Sequence, residues 1–93
     1  SDVHAYEWTD GYGFMAPRLP VVMGHEFAGR VSRPGTGSGF EARARVCVIP
    51  FVPCGACPEC RAGEPRDCSR RETIGLTRDG GFARSVRVPA RCC

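Results

Sequence analysis

Ninety-three residues, 42% hydrophobic and 25% charged, make one small folded domain and exclude a disordered chain. No apolar run approaches the ~20 residues that cross a bilayer, so no membrane partner is expected. The formal charge of +3 sets thirteen basic side chains, all of them arginine, against ten acidic ones, a balance too slight to call for nucleic acid.

In residues 1–20, Tyr6, Trp8, Tyr12 and Phe14 sit among Gly11, Gly13, Pro17 and Pro20. This reads as an aromatic-rich loop with turns, whose rings either cover a core edge or line a substrate cleft. Residues 21–31 are apolar on both sides of Gly24-His25-Glu26, with a strand expected over Phe27–Val31. A histidine and a glutamate in an apolar segment are costly to bury unless paired or bound to a metal. Residues 33–39 form a glycine-rich turn that lacks the lysine of a phosphate loop, and a hairpin connection is expected there. Arg45–Pro50 is a β-branched run and reads as a buried strand that includes Cys47.

Cys54, Cys57, Cys60 and Cys68 follow, at the spacing C-x2-C-x2-C-x7-C. A loop that short has no apolar run from which to build a core. Four sulfur ligands converging on one Zn2+ would give it a shape and supply its folding free energy. Disulfides are the alternative, but seven cysteines cannot all pair. With four protein ligands the tetrahedron is full, so the site reads as structural. Four thiolates around one zinc lower the formal charge to about +1. Arg61, Arg66, Arg70 and Arg71 lie in or beside the loop and could neutralise its charge. Free thiols at Cys47, Cys92 and Cys93 suit a reducing cytoplasm. Beyond the loop, Thr73–Leu76 is a short apolar segment, and Asp79-Gly80-Gly81 reads as a turn. Phe82–Val88 alternates apolar and polar and is expected to be a strand, stopped by Pro89. No stretch carries a helical stripe, and the class is mainly β.

Taken in order, Ser1-Asp2-Val3-His4, Gly24-His25-Glu26, the four-cysteine loop, and Asp79-Gly80-Gly81-Phe82-Ala83 followed by Val88-Pro89 form a combination. It resembles the catalytic, GroES-like domain of the zinc-dependent medium-chain alcohol dehydrogenases, nearest the polyol, secondary-alcohol and threonine dehydrogenase branch. The resemblance covers essentially the whole chain. It implies part of a GroES-like barrel with an inserted structural-zinc lobe at 53–70. It also implies two zinc sites, with Cys54, Cys57, Cys60 and Cys68 holding the structural ion and His25 and Glu26 contributing to the catalytic one. Ser1 would take the substrate's proton, His4 would carry it outward, and Asp2 would support His25. The substrate would be an alcohol or polyol, the hydride acceptor NAD or NADP, and the parent a cytoplasmic homo-oligomer.

The chain starts without Met and ends on Arg91-Cys92-Cys93, so a fragment is expected. The first catalytic zinc ligand of the family, the strands before it and the nucleotide-binding domain would all lie outside residues 1–93. The fragment is not expected to act alone. Where the family has Gly-Asp-Arg-Val this chain has Arg43-Ala44-Arg45-Val46, so Arg43 is expected to strain a turn that prefers positive φ. Two other readings remain at this point. One is a small four-cysteine zinc module contacting nucleic acid or protein, although its spacing is not that of a zinc ribbon. The other is a relative with only structural zinc.

Overall fold

The computed structural model describes residues 1–8 and 10–93; Thr9, inside the aromatic-rich stretch, lies outside the described residues. The chain begins with a short helix, α1 (Asp2–Tyr6), too short to show a periodic stripe. Its turns close through Ala5 N–H to the Ser1 carbonyl and Glu7 N–H to the Val3 carbonyl, both 2.9 Å. Only Ala5 is buried in it. A 3-10 helix over Gly13–Arg18 buries Met15. Tyr6, Trp8 and Phe14 are exposed, so those three rings do not cover a core edge among the described residues.

β1 (Ala28–Arg30) and β2 (Arg45–Cys47) pair antiparallel, with Gly29 opposite Val46. The ladder is prolonged by Val48 N–H to the Phe27 carbonyl at 3.1 Å and by Val31 N–H to the Ala44 carbonyl at 2.9 Å. The glycine-rich segment therefore does connect a hairpin, through a long loop. Cys47 is exposed, contrary to expectation. A period of two marks alternate faces without saying which is covered, and in β2 only Val46 is half-buried.

β3 (Phe51–Val52) pairs antiparallel with β4 (Glu72–Thr73), Phe51 opposite Thr73 and Val52 opposite Glu72. Between them lie α2 (Pro58–Arg61) and a 3-10 turn over Pro65–Asp67. The cysteine lobe is thus inserted between two paired strands. Val52, Ile74 and Cys92 form the buried cluster, with Phe27, Val48 and Val88 packed against it. Cys92, to which sequence assigns no role, is a core residue whose thiol pKa burial raises.

The mainly-β expectation holds only coarsely. The strands are two or three residues long and form two separate two-stranded sheets, not a closed barrel, among the described residues. The strand expected at 82–88 is absent: the segment bends after Gly81 and pairs with no strand among the described residues. Its alternation survives only as Val86 and Val88 turned partly inward. An extended segment becomes a strand only when a neighbour accepts its backbone hydrogen bonds.

Arg43 has φ +72°, as its departure from glycine implied. Its N–H bonds the Val31 carbonyl at 2.6 Å, and its own carbonyl accepts from Arg30 Nη1 at 3.3 Å, so the hairpin end holds it there. The left-handed region costs a residue with a Cβ about 1–2 kcal/mol, and glycine returns part of that as chain entropy on folding. Arg43→Gly is therefore expected to raise stability by about 0.5–1 kcal/mol in chemical denaturation. Arg43→Ala, which keeps the Cβ, should not.

Candidate metal centre and active site

Two groups of side chains bear chemistry. In the first, the ligand sulfurs of Cys54, Cys57, Cys60 and Cys68 all lie within 4.8 Å of one another. A tetrahedron with Zn–S bonds of 2.3 Å has sulfurs about 3.8 Å apart, so this cluster needs only slight contraction. The backbone prepares it. Gly55 at φ +76° turns the chain so that Ala56 and Cys57 N–H both point at the Cys54 sulfur, at 3.4 and 3.3 Å. Cys57 caps α2, its sulfur accepting from Cys60 N–H at 3.5 Å, and Pro58 starts the helix where no N–H is needed. Cys54 N–H points at the Cys68 sulfur at 3.3 Å. Amide donors aimed at sulfur stabilise thiolates, the form in which a cysteine holds a metal. The donor set and its hydrogen bonds fit zinc.

The lobe is fastened at its base. Arg71 stands 4.8 Å over the Phe51 ring and donates to the Arg66 carbonyl at 2.8 Å. That side chain ties the lobe to β3 and is not a free member of a basic patch.

The second group brings residues 1–2 to residues 25–26. His25 Nδ1 is 2.9 Å from Asp2 Oδ1, and its Nε2 is 2.9 Å from Ser1 Oγ. Glu26 Oε1 lies 4.0 Å from Nε2 on a largely exposed side chain. Ser1 occupies the N-cap of α1, yet its hydroxyl makes no cap bond, being turned to the imidazole. α1 holds Asp2 beside it, so one short helix supplies both partners of the ring. An Asp2 carboxylate on Nδ1 selects the tautomer with its proton there and leaves the Nε2 lone pair available. His4 is exposed and makes no side-chain hydrogen bond among the described residues. Sequence reasoning thus named four residues that the structure brings together and one, His4, that it leaves apart.

Reasoning from sequence missed two features near this group. Glu72, leaving the lobe on β4, pairs with Arg18 at 3.7 Å and Arg78 at 3.2 Å. Asp79 was read only as part of a turn, but its Oδ1 accepts from Val22 N–H at 3.0 Å. The Arg18–Glu72 and Val22–Asp79 contacts join residues more than fifty apart and leave no local pattern.

Residues 1–93 match the alcohol dehydrogenase GroES-like domain. The chain is 40% identical over 91 residues to an L-threonine 3-dehydrogenase of Idiomarina loihiensis, covering 97% of this chain and 26% of that protein. It is 41% identical over 93 residues to the L-threonine 3-dehydrogenase of Deinococcus radiodurans, with the same coverage. Among solved structures it resembles a candidate zinc-binding dehydrogenase of Sinorhizobium meliloti 1021 bound to NADP, at TM-score 0.81 and 36% identity over 98% of this chain and 25% of that one. The alcohol dehydrogenase of Aeropyrum pernix is similar at TM-score 0.77 and 36% identity, over 94% and 26%. The chain spans about a quarter of the length of these relatives.

The cysteines differ in acidity before any metal binds. Cys54 is lowered from 9.0 to about 6, first by the Ala56 N–H. On Cys57 the Cys60 N–H acts downward, but lost hydration and side-chain hydrogen bonds with Cys60, Glu59 and Cys54 outweigh it and push the group up to about 12. At pH 7 the metal-free chain therefore carries thiolate at Cys54 and thiol at Cys57. Cys54 should alkylate first with iodoacetamide, and its rate should fall as pH drops through about 6. Cys57 should lag throughout this range, as read by fragment-ion mass spectrometry over time. Added zinc should protect both.

Proposed function

Because this chain belongs to the alcohol dehydrogenase GroES-like domain family, we propose that its parent is a zinc-dependent, NAD(P)-dependent dehydrogenase that oxidises a secondary hydroxyl to a ketone. The chain is the catalytic-domain portion, part of a GroES-like barrel, with residues 53–70 as the structural-zinc lobe. The remaining barrel strands and the nucleotide-binding domain lie in the rest of the parent. The observation that carries the reading is His25 held between Asp2 and Ser1, with Glu26 beside it. The threonine dehydrogenase relatives make a hydroxyl-bearing amino acid or a polyol the substrate class to test first.

Zinc bound at His25 and Glu26 would supply Lewis acidity that lowers the pKa of a substrate hydroxyl. Three protein ligands are usual at such a site, so a further donor comes from outside residues 1–93. Within the chain, Asp2 Oδ1 accepts the Nδ1 proton of His25 and keeps Nε2 directed at the site. Ser1 Oγ, at the edge of the same ring, is placed to accept the substrate's hydroxyl proton. His4, exposed three residues along from Ser1, can relay that proton to water, since an imidazole both accepts and donates. No residue of this chain is assigned to the nicotinamide cofactor: no Gly-rich phosphate-binding turn is present. A cytoplasmic setting agrees with unpaired thiols at Cys47, Cys92 and Cys93, which the zinc lobe does not use.

The test is the purified parent assayed for NAD+ and NADP+ reduction with L-threonine, polyols and simple secondary alcohols. Activity is expected to be lost on chelation and restored by zinc. Asp2→Ala should lower activity or catalytic-zinc affinity by about 10–100-fold, as expected for losing the partner of a metal-bound histidine. An intact parent with no zinc-dependent reduction across the panel would refute the reading.

A further inference from the structure

Among the glycines of the chain, those around residue 24 have the least room for a side chain. Gly24 has φ +98°, and a Cβ there would stand 2.8 Å from the Phe82 ring. A Cβ on Gly75 would fall on the Gly24 carbonyl and lie 2.8 Å from His25 N. One on Gly80 would strike the same carbonyl and come within 2.8 Å of the Met23 oxygen. A Cβ on Gly81 would sit 2.6 Å from the Phe27 ring. By contrast Gly11, Gly13, Gly29, Gly35, Gly37, Gly39, Gly55 and Gly63 have nothing within 4 Å of such an atom. The absence of a side chain is therefore a packing requirement at one place, where segments some fifty residues apart cross.

Hydrogen bonds lock the crossing. Gly80 N–H bonds the Val22 carbonyl at 2.7 Å, Gly81 N–H the Gly24 carbonyl at 2.9 Å, and Phe82 N–H the Met23 carbonyl at 3.0 Å. Asp79 Oδ1 receives Val22 N–H at 3.0 Å and closes the other end. The Asp79–Phe82 strap thus grips Gly24 on one side of His25-Glu26, while Gly81 lies against Phe27 on the other. Both flanks of His25-Glu26 are held by one segment, which among the described residues makes no hydrogen bond to either side chain. From the other direction, Gly75 is anchored by Ile74, fully buried, whose N–H bonds the Pro50 carbonyl at 2.8 Å.

We propose that Gly75, Gly80 and Asp79 are positioning residues: Gly75 and Gly80 by leaving room for the Gly24 carbonyl, and Asp79 by holding the Val22 N–H, they set where His25 and Glu26 stand at the metal site. The inference rests on the dehydrogenase reading for its consequence in catalysis. Its consequence for metal binding can be read without turnover. A backbone shift of about 1 Å at position 24 moves both ligands together, and misplacement on that scale costs on the order of 100-fold in rate.

The experiment uses the full-length parent, with zinc at each site followed by chelator competition and folding by thermal melting. Gly80→Ala should weaken the catalytic zinc by about 10–100-fold and leave the four-cysteine zinc in place. Gly35→Ala, where a Cβ meets nothing, should match wild type in both. Asp79→Ala should shift in the same direction as Gly80→Ala, and Asp79→Asn should recover, since an amide oxygen can still accept the Val22 N–H. If Gly80→Ala does not fold, the two Asp79 variants decide. The proposal is overturned if the folded variants hold the catalytic zinc as wild type does. It is equally overturned if both zincs are lost in parallel with melting, or if Asp79→Asn behaves like Asp79→Ala. A wild type that binds two zincs but reduces no nicotinamide would sink the dehydrogenase reading and leave the zinc-affinity comparison intact.

Discussion

Four sulfurs within 4.8 Å of one another stand where the segment between β3 and β4 would otherwise need a core. The apolar cluster proper is small: Val52, Ile74 and Cys92, supported by three half-buried neighbours. Among the described residues nothing in the lobe joins it; Cys57 and Cys68 are buried apart from that cluster. Metal ligation by the four cysteines would do for the segment between β3 and β4 what burial does elsewhere. The lobe's order is then delivered to the rest of the protein through its two exits. Val52 and Glu72 face each other across the β3–β4 ladder, and the chain runs from Glu72 directly into buried Ile74.

That continuity links the two chemical groups. Ile74 is bonded to Pro50, Gly75 lies on the Gly24 carbonyl, and Gly24 precedes His25. The exit of the lobe and the histidine are thus joined through backbone: the Ile74–Pro50 hydrogen bond, the close approach of Gly75 to Gly24, and the peptide bond from Gly24 to His25. Glu72 reinforces the route by holding Arg18 and Arg78, the latter in the turn that carries Gly75. A lobe with a full set of four protein ligands can in this way support chemistry it does not perform.

What was legible in the sequence follows the range of each interaction. The four cysteines lie within fifteen residues, and ligand spacing is a local signal, so the lobe could be read directly. Arg43 was legible only by its departure from the family's glycine at that turn, and the residue there has φ +72°. The grouping of Ser1 and Asp2 with His25 spans more than twenty residues and was reached only through family resemblance. The failures are non-local too. Alternation at Phe82–Val88 describes a segment able to pair but does not provide a partner. Cys47 lies in a β-branched run that reads as buried, yet it faces out. Asp79-Gly80-Gly81 was read as a turn because glycine signals flexibility locally. Its role here is the opposite, a requirement for contact without side chains.

The imidazole of His25 has two nitrogens and three acidic or hydroxylic neighbours, and their assignment settles what the site can do. Asp2 is the most constrained, partly buried and held by α1 at 2.9 Å from Nδ1, so that nitrogen carries the proton. Nε2 is left as an acceptor, and Ser1 Oγ is its present donor. Glu26, exposed and 4.0 Å away, is too far for a hydrogen bond to Nε2 but near enough to share a cation with it. A ring fixed from behind, with a lone pair, a hydroxyl and an exposed carboxylate in front, is suited to holding a metal and exchanging a proton beside it. Were Asp2 lost, the tautomer would no longer be selected. Ser1 could then donate to or accept from either form, and the order that distinguishes a metal ligand from an ordinary surface histidine would disappear.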